Sequence, residues 1–161
     1  MPLRIEQLLR ASSPGVFAKR YRYSETFDND YNRVIEIAKQ ARSDRTRLHV
    51  LVDDVGTNYG FIALSIHVSE RKPCIIVDYL FSSQQYRSIN HPELEGLTVG
   101  KFLLGYAYQL AAEANRNYPI RFIALVPANE KLELYYASEG FQKLDSTDFM
   151  YLKPPKQEDM V

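Results

Sequence analysis

Two short segments apolar on both faces, Cys74 to Ser82 and Ile120 to Val126, constrain this chain more than any other feature. Strands with one wet face alternate apolar and polar residues, so a strand without that alternation belongs inside a sheet, covered on both sides. Between the two, Leu103, Ala107, Leu110, Ala111 and Ala114 fall on one face of a helix over 100–115. Upstream, Tyr31, Val34, Ile35, Ala38 and Ala41 mark another helix from about residue 30, with Asp28 or Asp30 as its N-cap. Residues 46–53 read as a strand, Leu48, Val50 and Val52 alternating against Arg47 and His49. Val55-Gly56-Thr57-Asn58-Tyr59-Gly60 reads as a turn and Phe61 to Val68 as the returning strand of a hairpin. Residues 3–9 fit a short strand or a short helix, and 11–29 a loop with one ordered piece. Arg71-Lys72-Pro73 breaks the chain before the first central strand. A long loop covers 84–99. A short helix runs from an Asn129 N-cap to Gly140, and 141–145 with 148–152 form a last hairpin around Ser146-Thr147. The pattern is an α/β fold, one domain over 1–153 with a flexible tail at 154–161.

Composition narrows the class. At 161 residues, 45% hydrophobic and 25% charged, the chain matches an ordinary soluble domain able to bury one core. No apolar run is long enough to cross a bilayer and the N-terminus shows no charged-then-apolar leader, so the expectation is a cytoplasmic protein without a membrane partner. The lone Cys74 reads as a small hydrophobe rather than a nucleophile, and His49 and His67 share no ligand spacing with it, so no metal site is expected. The formal net charge of +0 hides an asymmetry. Before residue 51 the bases Arg4, Arg10, Lys19, Arg20, Arg22, Arg33, Lys39, Arg42, Arg45 and Arg47 outnumber the acids Glu6, Glu25, Asp28, Asp30, Glu36 and Asp44. Lys19-Arg20-Tyr21-Arg22-Tyr23 interleaves cations with aromatics, as single-stranded nucleic-acid grooves do. The zero net charge favours a solvated edge over a polyanion-binding face.

The chemistry concentrates in 95–141. Glu95-Gly96-Leu97-Thr98-Val99-Gly100-Lys101 opens a helix, where free backbone N–H groups at a positive dipole end suit a phosphate or pyrophosphate. Lys101-Phe102-Leu103-Leu104 follows it. Upstream lies Leu80-Phe81-Ser82-Ser83-Gln84-Gln85-Tyr86-Arg87, and downstream Leu134-Tyr135-Tyr136-Ala137-Ser138-Glu139-Gly140-Phe141. Together these words resemble the GNAT superfamily of acetyl-coenzyme A dependent N-acetyltransferases over roughly residues 34–152. The family's loop reads Gln/Arg-x-x-Gly-x-Gly/Ala, followed by Lys-x-Leu-Leu and later by Phe-Tyr-x-x-x-Gly-Phe. Two departures stand out. Thr98 replaces the middle glycine and Glu95 the leading cation or amide, and Ser88 to Leu94 is inserted between Tyr-Arg and the loop.

The resemblance implies a single-domain GNAT-like fold, a mixed and mostly antiparallel sheet flanked by helices, with acetyl-CoA as cofactor. Leu80, Phe81 and Ser82 would flank the pantetheine arm through their main chain. Glu95, Gly96, Leu97, Thr98, Val99, Gly100 and Lys101 would form the pyrophosphate loop, with N–H donors from Thr98 to Lys101. Tyr136 would protonate the departing thiolate, with Tyr135 a packing residue. Asp78 is a candidate base or the partner of an arginine, and His91 is a loop histidine near the presumed cleft. Asn129 is a cofactor contact or only an N-cap. The implied reaction is acetyl transfer to a primary amine, small or protein-borne. Faintly toxin-like features in 28–41 and 148–152 admit aminoacyl-tRNA as the acceptor, a partner the zero net charge disfavours. A non-catalytic binding module is the remaining alternative, and a homodimer is compatible with either.

Overall fold

The computed structural model describes residues 2–8, 13–24, 29–42, 46–67, 73–114, 120, 122–127, 129–145 and 147–153. The expected cap Asp28, the break at 71–72, Ser146 and the tail at 154–161 lie outside the described residues. The chain runs β1 (Arg4–Leu8), α1 (Pro14–Ala18), α2 (Asn29–Gln40), β2 (Thr46–Val52), β3 (Asn58–His67), β4 (Cys74–Ser82), α3 (Val99–Ala114), β5 (Phe122–Leu125), α4 (Glu130–Ser138), β6 (Gln142–Lys143) and β7 (Met150–Leu152). The strands form one seven-stranded sheet in the order β1-β2-β3-β4-β5-β7-β6. β4 pairs parallel with β5, Cys74 opposite Phe122 through Val77 opposite Leu125, with α3 as the intervening crossover. The β1–β2, β5–β7 and β6–β7 pairs are antiparallel. This is the mixed α/β sheet flanked by helices that the sequence implies. The two strands apolar on both faces take its middle.

Two compact units divide the chain, Met1–Leu64 with Tyr79–Gly105, and Ser65–Asp78 with Tyr106–Val161. In the first, Val34 and Ala38 of α2 are buried with Phe17, Leu48, Val50, Phe61 and Phe81. Helical spacing put those two α2 residues on one face, and burying such a stripe is what holds a short helix together in water. Rings fill the core, Phe17 on Phe61 at 5.1 Å, Tyr21 on Phe81 at 5.5 Å and Tyr23 on Phe81 at 5.3 Å.

Several expectations change here. Residues 3–9 contain a strand, and the ordered piece in 11–29 is α1, whose cap Ser13 accepts the Val16 N–H at 3.3 Å. β2 is buried on both faces, His49 included, and burial holds that imidazole down to about 4. β3 starts at Asn58 rather than Phe61, so Gly60 is a strand residue and not the end of a turn. Asp30 lies within the first turn of α2 instead of capping it. Tyr21 and Tyr23 point into the core while Lys19, Arg20 and Arg22 are exposed. The cation–aromatic interleaving is therefore an in–out alternation and not a stacking platform for bases.

In the second unit Ile75, Val77, Ala107, Ala111, Ile123, Leu125 and Met150 are buried. Gly140 at φ 102° ends α4, and the Phe141 N–H returns to the Tyr136 carbonyl at 3.0 Å, which makes the Gly-Phe exit. The β6–β7 pair supplies the expected last hairpin.

Candidate active site

β4 ends at Ser82 and the chain turns at once. Ser83 is fully buried; its N–H donates to the Tyr59 carbonyl of β3 at 3.0 Å. Its hydroxyl accepts the Arg22 N–H at 2.8 Å and donates to Gln85 Oε1 at 2.8 Å. The Gln84 N–H donates to the Arg22 carbonyl at 2.9 Å. Arg87 folds back over this corner. Its Nε donates to the Ser82 carbonyl at 2.8 Å, and its guanidinium lies 5.1 Å from the Phe81 ring. The same guanidinium meets Asp30 Oδ2 at 3.3 Å, while Asp30 Oδ1 accepts the Tyr79 hydroxyl at 3.4 Å. Burial first, then the Asp30 charge, pushes the Tyr79 phenol well above its ordinary range. The Ser82 carbonyl, expected to face a pantetheine arm, is held by Arg87. Leu80 is half-buried and Phe81 is in the core.

The inserted segment is ordered around His91. Its N–H donates to the Leu97 carbonyl at 3.0 Å, and its carbonyl accepts from Leu94 at 3.0 Å and Gly96 at 2.9 Å. The imidazole lies 6.1 Å from the Tyr59 ring and 6.0 Å from Tyr86, its Nε2 buried without a partner among the described residues. Glu95 at φ 57° and Gly96 at φ 81° are left-handed, and Glu95 is exposed. The N–H groups of Glu95, Gly96 and Leu97 go to Pro92, His91 and Leu94 carbonyls within the loop.

Thr98 explains its own departure from the glycine pattern, because its hydroxyl accepts the Lys101 N–H at 3.2 Å and so caps α3. That leaves the N–H groups of Thr98, Val99 and Gly100 without an acceptor among the described residues. They stand at the positive end of a 16-residue helix with no acid in its first turn. Gly60 lets that helix start close against the sheet. A Cβ there would overlap the Phe81 carbonyl and come within 2.8 Å of Val99 Cγ1. At Gly100 a Cβ would meet only Ser82 Oγ at 4.0 Å, so this glycine leaves room rather than relieving a clash.

The second unit carries Asp78, Asn129 and Tyr136. Asp78 is half-buried on β4. Asn129 caps α4, its side-chain oxygen accepting the Leu132 N–H at 2.9 Å. Tyr136 is 7% exposed, its ring edge-on to Phe141 at 5.7 Å, and burial pushes its phenol up to about 12. Tyr135, expected to be the packing residue, is the less buried of the pair. Gly60, Ser83 and the Asp30–Arg87 pair escaped the sequence reading. Only Gly60 had a signal, an isolated glycine inside a strand pattern. Arg20 borders a cavity of about 400 Å³ with Glu6 on its rim and Leu8, Val50 and Val52 among its lining. Among the described residues no three His, Cys, Asp or Glu side chains gather as a metal site, and no helix is long and apolar enough to cross a membrane.

No family model and no curated protein matches the sequence. Solved structures match nearly all of it. The KacTA–DNA complex gives a TM-score of 0.70 at 19% identity, covering 94% of this chain and 93% of that one. AtaTR bound with AcCoA gives 0.71 at 18%, covering 95% and 94%. AtaT complexed with acetyl-methionyl-tRNAfMet gives 0.70 at 16%, covering 94% of each chain. The chain thus shares the fold of these structures, the GNAT-like fold that the sequence implies.

Proposed function

We propose that this chain is an N-acetyltransferase that moves an acetyl group from acetyl-CoA to the α-amino group of an aminoacyl-tRNA, by direct attack in a ternary complex. One observation carries it: the likeness, over 94% of the chain, to AtaT complexed with acetyl-methionyl-tRNAfMet. It displaces the small or protein amine as the favoured acceptor. That preference rested on the zero net charge, which coexists with exposed Lys19, Arg20 and Arg22, the last bonded through its main chain to Ser83 just after β4.

Acetyl-CoA supplies the activated acyl group and a thiolate that must leave. The N–H groups of Thr98 and Gly100, partly exposed and without an acceptor among the described residues, bind its pyrophosphate, and the open space at Gly100 admits it. The main chain of β4 from Leu80 to Ser82 orients its arm. Asp78, directly or through water, takes the proton that the acceptor ammonium must shed before the free amine attacks the thioester carbonyl. Tyr136, a phenol at neutral pH and pushed further up to about 12 by burial, donates to the departing sulfur. Lys19, Arg20 and Arg22 meet acceptor phosphates, so neutralising all three should weaken tRNA binding and flatten its salt dependence.

Thermal denaturation with acetyl-CoA, followed by acetyl transfer to charged tRNA, tests the proposal. At a hundredfold excess over Kd the cofactor should stabilise the fold by about 2.7 kcal/mol. No shift at millimolar acetyl-CoA would leave only the non-catalytic module. A shift with transfer to small amines but none to aminoacyl-tRNA would restore the small-amine acceptor.

A further inference from the structure

A fully buried hydroxyl is costly unless its hydrogen-bonding capacity is used, and Ser83 uses both sides of its own. What it accepts from is the backbone of Arg22. Arg22 is held at two points, its N–H on Ser83 Oγ and its carbonyl on the Gln84 N–H. The flanking Tyr21 and Tyr23 both rest on Phe81 of β4. Rings fix how deep the segment sits, and the two Arg22 bonds fix its placement along the strand end. Ser83 in turn inherits the rigidity of the sheet, because its N–H is tied to Tyr59 of β3. The neighbouring Ser82 side chain faces Gly100 at the open start of α3.

From this we infer that Ser83 is a positioning residue, holding the cations Lys19, Arg20 and Arg22 at a set reach from the end of β4 so that a polyanionic acceptor presents its amine there. The inference rests on the aminoacyl-tRNA reading above. Ser83 touches neither substrate; it acts through Arg22. Its hydroxyl should therefore matter to the acceptor and not to acetyl-CoA. A residue that merely supported the cofactor strand would affect both.

The test compares four full-length proteins: wild type, Ser83→Ala, the triple Lys19→Gln/Arg20→Gln/Arg22→Gln, and the quadruple combination. KM is measured for each substrate, and tRNA affinity is measured by equilibrium binding across a salt series. Ser83→Ala should raise the KM for aminoacyl-tRNA about tenfold, the scale of one charge-neutral hydrogen bond, and flatten the salt dependence. The KM for acetyl-CoA should stay within about twofold. In the triple background the same change should add little, because the cations it positions are already gone. A parallel rise in the acetyl-CoA KM, or an undiminished cost in the triple background, overturns the inference. Wild type that acetylates aminoacyl-tRNA with Ser83→Ala unaltered defeats this inference alone. Wild type that neither binds nor acetylates it defeats both readings. If Ser83→Ala does not fold, Ser83→Cys fills the site with a weaker acceptor and runs the same comparison at smaller amplitude.

Discussion

Two helix N-termini carry sequence-implied cofactor contacts, and they are built differently. At α4, Asn129 accepts the Leu132 N–H, and Glu130 and Glu133 place carboxylates in the first turn. That end supplies its own negative charge. At α3, Thr98 satisfies only the Lys101 N–H, no acid stands in the first turn, and the Thr98, Val99 and Gly100 N–H groups have no acceptor among the described residues. The acidic neighbour Glu95 is exposed in the preceding loop. A helix dipole left uncompensated is where an anion gains most, about 0.3–1 kcal/mol per charge at an exposed site. On the proposed function, the contrast favours α3 over α4 for the pyrophosphate and gives Asn129 a sufficient role as a cap.

Substitutions can break that contrast. The largest effect belongs to the chemistry it serves. Tyr136→Phe keeps the ring and should lower turnover by about one to three orders of magnitude with the acetyl-CoA Kd unchanged. Unchanged turnover on a confirmed acceptor would reduce Tyr136 to a packing residue. Next, Gly60→Val forces a side chain against the Phe81 carbonyl and Val99. It should cost about 3 kcal/mol in denaturant titration and abolish the acetyl-CoA-induced shift. A variant as stable as wild type would mean that α3 does not need that close approach. Third come two matched N2 positions. Gly100→Glu should erase the cofactor shift with little change in apo stability, whereas Lys131→Glu in α4 should leave the shift intact. Equal loss in both would end the distinction. Smallest are the caps themselves. Thr98→Ala and Asn129→Ala should each cost about 1 kcal/mol, but only the first should alter acetyl-CoA affinity, readable by calorimetry.

The elements that announced themselves in sequence were those whose own spacing carries the signal. Val34 with Ala38, and Leu103 with Ala107 and Ala111, gave α2 and α3 because buried helix faces repeat locally. Cys74–Ser82 announced a central strand for the same reason. Asp30 and Arg87 could not be paired in advance, being 57 residues apart, and their salt bridge depends on where α2 meets the end of β4. With the Asp30 side chain 23% and the Arg87 side chain 30% exposed, the pair is worth about 0–1 kcal/mol. Its value is in direction, not stability. Gly60 was misassigned to a turn because glycine punctuates turns more often than it admits a neighbouring helix. Tyr21 and Tyr23 misled in the opposite sense, since alternation with cations does not reveal which set faces inward.

The open amides of α3 also make the protein its own spectroscopic probe. A solvent-exposed N–H without an acceptor trades its proton for deuterium without any opening of structure, whereas the Lys101 amide, already closed by Thr98, must wait for the helix to fray. Before ligand is added, the partly exposed Thr98 and Gly100 should exchange fast and Lys101 slowly. Once a phosphate sits on the helix end, the first two should slow while the third barely changes. Occupancy of this site becomes countable residue by residue, with no turnover and no knowledge of the acceptor.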